Sequence, residues 1–262
     1  AEADWFGRPT CLDRGRLMTQ TIICMKWGKR YPADYANRLW SMIKRNTARP
    51  TRLVCYTDDM SGLDPAITAL PLPPIRLPER ISQLPWRKIS LWAPTLPGVE
   101  GDVLFLDLDL VVTGSLDAFF DFEPQATFCV IENWTQPGSG IGNTSTYRFR
   151  VGAHAYLYDM LQNEAEAVLS RHPNSQTYIS RTIKEKVFWP ADWCVSFKHS
   201  LLPGWPQRFF VTPKLPAGTR VVAFTGKPDP DEARDGHWPP GKAWKSIYKH
   251  VRPTPWIAEH WR

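Results

Sequence analysis

Two carboxylates one residue apart, Asp107 and Asp109, follow directly on the most apolar run of the chain, Val103-Leu104-Phe105-Leu106. At that spacing a strand directs both side chains to one face, where bare carboxylates repel each other. A divalent cation removes the repulsion, and hard oxygen ligands of this type suit Mg2+ or Mn2+, which keep positions open for water and phosphate oxygens. Acidic residues also end strands without doing chemistry. A site is favoured here by the purely apolar approach, by the strand-helix-strand pattern upstream and by the apolar run that resumes at Val111 and Val112. Two further polar stretches, 26–31 and 57–59, stand just after apolar runs of their own.

The elements that position these residues are legible from periodicity. Residues 21–25 are a short apolar run stopped by Lys26, Trp27 and Gly28, the pattern of a buried strand and its loop. From Pro32 the period changes: Tyr35, Leu39, Met42 and Ile43 fall at i, i+4, i+7 and i+8, with Asp34 early and Lys44 and Arg45 at the end. That predicts an amphipathic helix. Residues 52–56 form a second apolar strand, and strand, helix, strand implies a parallel unit of a Rossmann-like sheet. Ligands of such sheets bind beyond the carboxyl ends of the strands, so the three polar clusters should meet in one crevice.

Proline-rich residues 61–85 predict an extended connection with one edge element at most, and 86–92 a short helix carrying Arg87 and Lys88. Further strands are expected at 110–112, 127–131 and 220–224. One helix is expected over 154–169, where Leu157, Leu161, Ala165 and Val168 are spaced for it. Residues 1–17 have no sustained periodicity and read as a tag or loose extension before Met18, leaving 18–262 as one α/β domain with a mixed, mainly parallel sheet flanked by helices.

Bulk properties agree with a single globular unit: 262 residues, 43% hydrophobic and 22% charged. No apolar run approaches the ~20 residues of a membrane-spanning helix, and no secretory signal pattern opens the chain. The expected location is therefore cytoplasmic. Five widely spaced cysteines without a CxxC pair argue for reduced thiols, with Cys24, Cys55 and Cys129 in apolar runs. A net charge of +6 calls for an anionic partner, whether nucleic acid, an acidic membrane surface or a phosphorylated small molecule. The thirteen tryptophans serve either as core or as flat faces on which sugar rings stack.

The segment Phe105-Leu106-Asp107-Leu108-Asp109-Leu110-Val111-Val112, with Gly114, Ser115, Leu116 and Asp117 after it, resembles the DxD region of GT-A glycosyltransferases, particularly the retaining family-8 group and its bacterial relatives. The resemblance runs from about Thr21 to Pro228 and is sharpest over 22–59 and 86–120. It implies a metal-dependent enzyme that moves a sugar from a nucleoside diphosphate sugar, with UDP as the expected nucleotide, to a hydroxyl of a glycan, lipid-linked or protein acceptor. Residues 18–120 would hold the nucleotide sugar and 121–262 the acceptor.

By the same resemblance, Lys26, Trp27, Tyr31 and Asp58 lie near the nucleoside, Lys88 contacts donor sugar or phosphate, and Asp107 and Asp109 hold Mn2+ or Mg2+. A late family motif, His-aromatic-x-Gly with a following Lys-Pro, is matched by Ala223-Phe224-Thr225-Gly226-Lys227-Pro228, with Ala223 where the metal-binding His belongs. Thr225, Asp229, His237 or water is left to complete the metal site, and Lys227 to neutralise the leaving diphosphate. Asn143, in Asn143-Thr144-Ser145, and Gln176, beside Ser175 where the family has Asp, match residues at the reacting face of the transferred sugar. Retention of anomeric configuration follows from the resemblance. An inverting enzyme would need a carboxylate base, for which Asp192 is the late candidate.

Two other readings compete. Haloacid-dehalogenase-like phosphatases also end an apolar strand in Asp-x-Asp, but on their opening strand, whereas a strand-helix-strand unit precedes it here. A non-enzymatic carbohydrate or nucleic-acid binder explains the basic charge but leaves the acidic pair without a role, so no nucleic-acid partner is expected. The basic surface suits peripheral association with the anionic inner face of a membrane.

Overall fold

A computed structural model describes residues 19–239 and 248–262. The expected extension 1–17, its Met18 boundary and Cys11 lie outside the described residues. In chain order the elements are β1 (Gln20–Lys26), α1 (Ala33–Arg45), β2 (Thr51–Thr57), β3 (Thr68–Pro71), β4 (Asp102–Leu106), β5 (Leu110–Val112), α2 (Asp117–Asp121), β6 (Phe128–Glu132), β7 (Gly142–Arg150), α3 (Tyr156–Asn163), α4 (Ala165–Arg171), α5 (Ser175–Thr182), β8 (Val187–Phe188), β9 (Cys194–Ser196), β10 (Val221–Ala223), α6 (Pro230–Asp235) and α7 (Trp256–His260).

Seven strands form the main sheet in the order β3-β2-β1-β4-β7-β6-β8, and β5-β10-β9 form a second, smaller sheet. β3, β2, β1 and β4 are mutually parallel, and β7 lies antiparallel between β4 and β6. The uninterrupted apolar runs of β1 and β4 are explained by burial on both faces: Ile22, Ile23, Leu104 and Phe105 have no exposed surface. α1 buries the stripe Tyr35, Leu39, Met42 and Ile43, and carries Asp34 in its first turn and Lys44 and Arg45 in its last, which complements the helix dipole.

β7 is absent from the sequence expectation because polar Asn143, Thr144, Thr146 and Arg148 are buried in it beside Tyr147 and Phe149, which leaves no apolar run to read. The two terminal nitrogens of Arg148 are used up locally. They donate to the carbonyls of Phe119, Phe120, Phe122 and Glu123 at 2.6–3.0 Å, closing the turn after α2. The single helix expected over 154–169 is two, α3 and α4, because Glu164 leaves helical geometry at φ −132°, ψ 40°. The expected helix at 86–92 is a 3-10 segment, Pro85–Trp92, and it buries Lys88 along with Trp86 and Ile89. Cys24, Cys55 and Cys129 are buried in their strands, and Cys194 is buried in β9.

Candidate active site

The acidic pair occupies the short connection between β4 and β5 rather than a regular strand. Its backbone is tied on both sides: Asp107 N–H donates to Ser145 O at 2.9 Å, and Phe224 N–H donates to Asp109 O at 3.0 Å. β7 and the end of β10 thus fix the direction of both side chains, which open into one cleft of about 660 Å³ at the carboxyl edge of β1 and β4.

Each carboxylate has one protein partner. Lys88 Nζ reaches both oxygens of Asp107, at 2.5 and 2.7 Å, and the Tyr31 hydroxyl donates to Asp109 Oδ2 at 2.8 Å. Burial and then the Asp107 carboxylate push the Asp109 carboxyl up to about 7, against the pull of Tyr31 and Lys88. Burial and the Asp109 charge in turn raise the Tyr31 phenol, which stays a hydrogen-bond donor. Among the described residues no three His, Cys, Asp or Glu side chains are arranged to hold a metal ion. Among the described residues a cation would thus meet two mutually repelling carboxylates, with no third carboxylate or imidazole grouped with them.

Of the residues assigned to the nucleoside, Trp27 and Tyr31 line the cleft and Lys26 and Asp58 do not. Lys26 is buried and donates to Asp59 O at 3.0 Å. Asp58 accepts from Gly28 N–H at 2.9 Å, and Gly28 sits at φ 62°, a left-handed turn that glycine adopts without strain. Both residues hold the β1–α1 loop in shape. Trp27 is held at the cleft edge by its indole N–H bond to Gln83 O, 3.2 Å.

Asn143 and Gln176 both line the cleft. Asn143 opens β7 instead of standing in a turn, and its Oδ1 accepts from Ser145 N–H at 3.0 Å. Gln176 lies in the first turn of α5, whose N-terminus is capped by Asn174 Oδ1 accepting from Thr177 N–H at 2.9 Å. The neighbouring Asn133, Trp134 and His199 also line the cleft and were not singled out by sequence. They stand just past the ends of β6 and β9, and the rule that placed the other clusters covers them too. Burial and then Lys198 lower the His199 pKa, so its imidazole is neutral at neutral pH.

The late motif divides. Thr225 and Gly226 line the cleft, whereas Ala223 is buried in β10. Lys227 Nζ is turned to Asp229 Oδ2 at 2.7 Å and Glu232 Oε1 at 2.6 Å, away from the lining. Asp229 caps α6. Asp192 is exposed and outside the cleft, so Asp107 and Asp109 are the only carboxylates lining it among the described residues.

No protein-family model matches the chain, and no curated protein matches it. Solved structures do. The galactosyltransferase LgtC, crystallised with donor and acceptor sugar analogues, superposes with a TM-score of 0.57 over 80% of this chain and 89% of its own, at 11% identity. An active-site mutant of LgtC gives 0.58 at 12% identity over the same shares. The glycosyltransferase GlyE of Streptococcus pneumoniae gives 0.56 at 14% identity, over 80% of this chain and 56% of that one. At such identities the likeness speaks for architecture, and with the mixed sheet and its acidic pair beyond β4 it shows that the chain has the GT-A fold of these glycosyltransferases.

Proposed function

We propose that the chain is a glycosyltransferase that moves a sugar from a nucleoside diphosphate sugar, UDP-linked by analogy, to an acceptor hydroxyl with retention of configuration. One observation carries the proposal: Asp107, Asp109 and Lys88 converge in the large cleft at the carboxyl edge of β4, in a fold shared with a galactosyltransferase crystallised with donor and acceptor analogues.

The raised Asp109 pKa fits a divalent cation, because two crowded carboxylates leave negative potential that a dication relieves. Asp107 and Asp109 would hold Mn2+ or Mg2+, with diphosphate oxygens and water as the remaining ligands. Thr225, which also lines the cleft, is the protein oxygen proposed beyond them. When bound, the cation stabilises charge on the departing diphosphate. The rest falls to side chains. Lys88 keeps Asp107 oriented and supplies positive charge to the donor. Tyr31 donates to Asp109 and, with Trp27, borders the nucleoside. Lys227 meets the diphosphate by exchanging Asp229 and Glu232 for phosphate oxygens, and Gly226 gives the diphosphate close approach to backbone.

As the anomeric C–O bond breaks, the acceptor hydroxyl attacks the same face and passes its proton to the departing diphosphate oxygen. Gln176 and Asn143 place their amides beside the reacting centre. Among the described residues no carboxylate other than the Asp107–Asp109 pair lines the cleft, which favours retention over inversion. The experiment is a screen of nucleotide sugars for release of nucleoside diphosphate with and without Mn2+, followed by proton NMR of the product anomer. Failure of every donor contradicts the activity, and an inverted product contradicts the stereochemistry.

A further inference from the structure

Between Trp193 and Pro228 the chain has five Lys or Arg and no Asp or Glu. Inside this stretch Trp205, Phe210 and Val211 are 61%, 78% and 44% exposed, three of the six exposed large apolar side chains among the described residues. The exposure is built in and not the result of a loose chain. Arg208 N–H donates to Gly204 O at 3.1 Å and Val211 N–H to Gln207 O at 2.9 Å, folding the loop into consecutive turns. From behind, the Arg208 guanidinium donates to Tyr248 O at 3.0 Å and Phe209 stacks on His250 with ring centroids 4.6 Å apart. Trp256 Nε1 ties down Pro213 O at 3.0 Å.

An apolar tip folded into turns, within a stretch whose charged side chains are all positive, matches one kind of surface. We propose that the loop 198–214 docks the protein on an anionic lipid bilayer. Trp205, Phe210 and Val211 would enter the boundary between headgroups and acyl chains, and Lys198 and Lys214 would lie against the acidic headgroups. Preordering of the loop lowers the conformational cost of docking. The loop starts beside the cleft, since His199 lines it and Lys198 is next in sequence. A docked protein therefore turns the acceptor side of the cleft towards the bilayer, which fits a lipid-linked acceptor. That last consequence rests on the function proposed above, whereas docking itself does not depend on it.

Sedimentation with phosphatidylcholine vesicles, with and without phosphatidylglycerol, tests the docking in the absence of any nucleotide sugar. The expected result is binding to the acidic vesicles only, weakened by high salt and reduced about tenfold or more both in the double variant Trp205→Ser, Phe210→Ser and in Lys198→Glu, Lys214→Glu. Circular dichroism melts and hydrolysis of a soluble donor should match the parent, which separates loss of docking from loss of fold or activity. Equal binding to neutral vesicles, no binding, or undiminished binding by both variants overturns the proposal. So does self-association that the apolar variant abolishes without any vesicle binding, since the patch would then be an interface between copies.

Discussion

The ammonium of Lys88 touches both carboxylate oxygens of Asp107, at 2.5 and 2.7 Å, with both side chains largely shielded from water. One lysine thus neutralises one half of the acidic pair from a 3-10 segment that has no strand or long helix to stiffen it. Lys88→Met leaves Asp107 unpaired and removes positive charge from the donor's side of the cleft. The expected outcome is a loss of about a hundredfold in kcat/KM for the donor, with part of it restored by Lys88→Arg. Steady-state kinetics on the donor identified by the screen checks this, and an unchanged kcat/KM in Lys88→Met contradicts it.

Asp109 carries a stability penalty with a definite sign. Its carboxyl titrates near 7 when folded against 3.8 as a free side chain, so between those values the folded state holds a proton that the unfolded state has lost. Stability contributed by the protonated acid is full below about pH 4, falls as pH rises through 7 and is gone above. In metal-free protein, Asp109→Asn should therefore raise the unfolding free energy at pH 8 by on the order of 2 kcal/mol once partial exposure is allowed for, read as a higher melting temperature, and change little at pH 4. Equal effects at both pH values would refute the assignment.

Arg148 should be the most costly polar residue to remove. Five carbonyls, those of Phe119, Phe120, Phe122, Glu123 and Ala126, lose this donor in Arg148→Met, and lysine, a single compact charge, cannot serve all of them. A loss of roughly 3 kcal/mol is expected in urea unfolding for the Met variant, with little rescue by Lys. A Met variant as stable as the parent would show that the turn after α2 holds without its clamp.

Gln176 stands half-exposed in the first turn of α5, with the cap made by Asn174 and not by itself. If Gln176 has the role proposed for it, Gln176→Ala should lower kcat about tenfold while melting stays as in the parent, because only a cleft-lining amide is lost. A fall in melting temperature without a change in kcat would assign the residue to the fold.

The acidic pair, β1, α1, β2 and β4 were legible because each is a strong local pattern: an apolar run, a helical stripe, a carboxylate after a strand. β7 was not, since Thr144, Thr146 and Arg148 are buried by tertiary pairing with neighbours that local pattern does not reveal. The helix over 154–169 has continuous apolar spacing, and only the backbone at Glu164 betrays the break. Lys26 and Asp58 were placed correctly at strand ends, but their side chains bond loop backbone instead of facing the cleft. Lys227 follows a cleft-lining glycine, yet two nearby acids hold it. Position relative to the sheet is thus encoded locally, whereas side-chain direction depends on loops without periodicity.

The most direct test is calorimetric titration of nucleoside diphosphates into the protein with and without Mn2+, comparing the parent with the Asp107→Asn, Asp109→Asn double variant. Micromolar binding of at least one nucleotide that needs Mn2+, weakened about a hundredfold or more in the double variant, is the predicted result. Metal-dependent binding of the same strength in the double variant, or no nucleotide binding by the parent, would contradict the role given to the acidic pair.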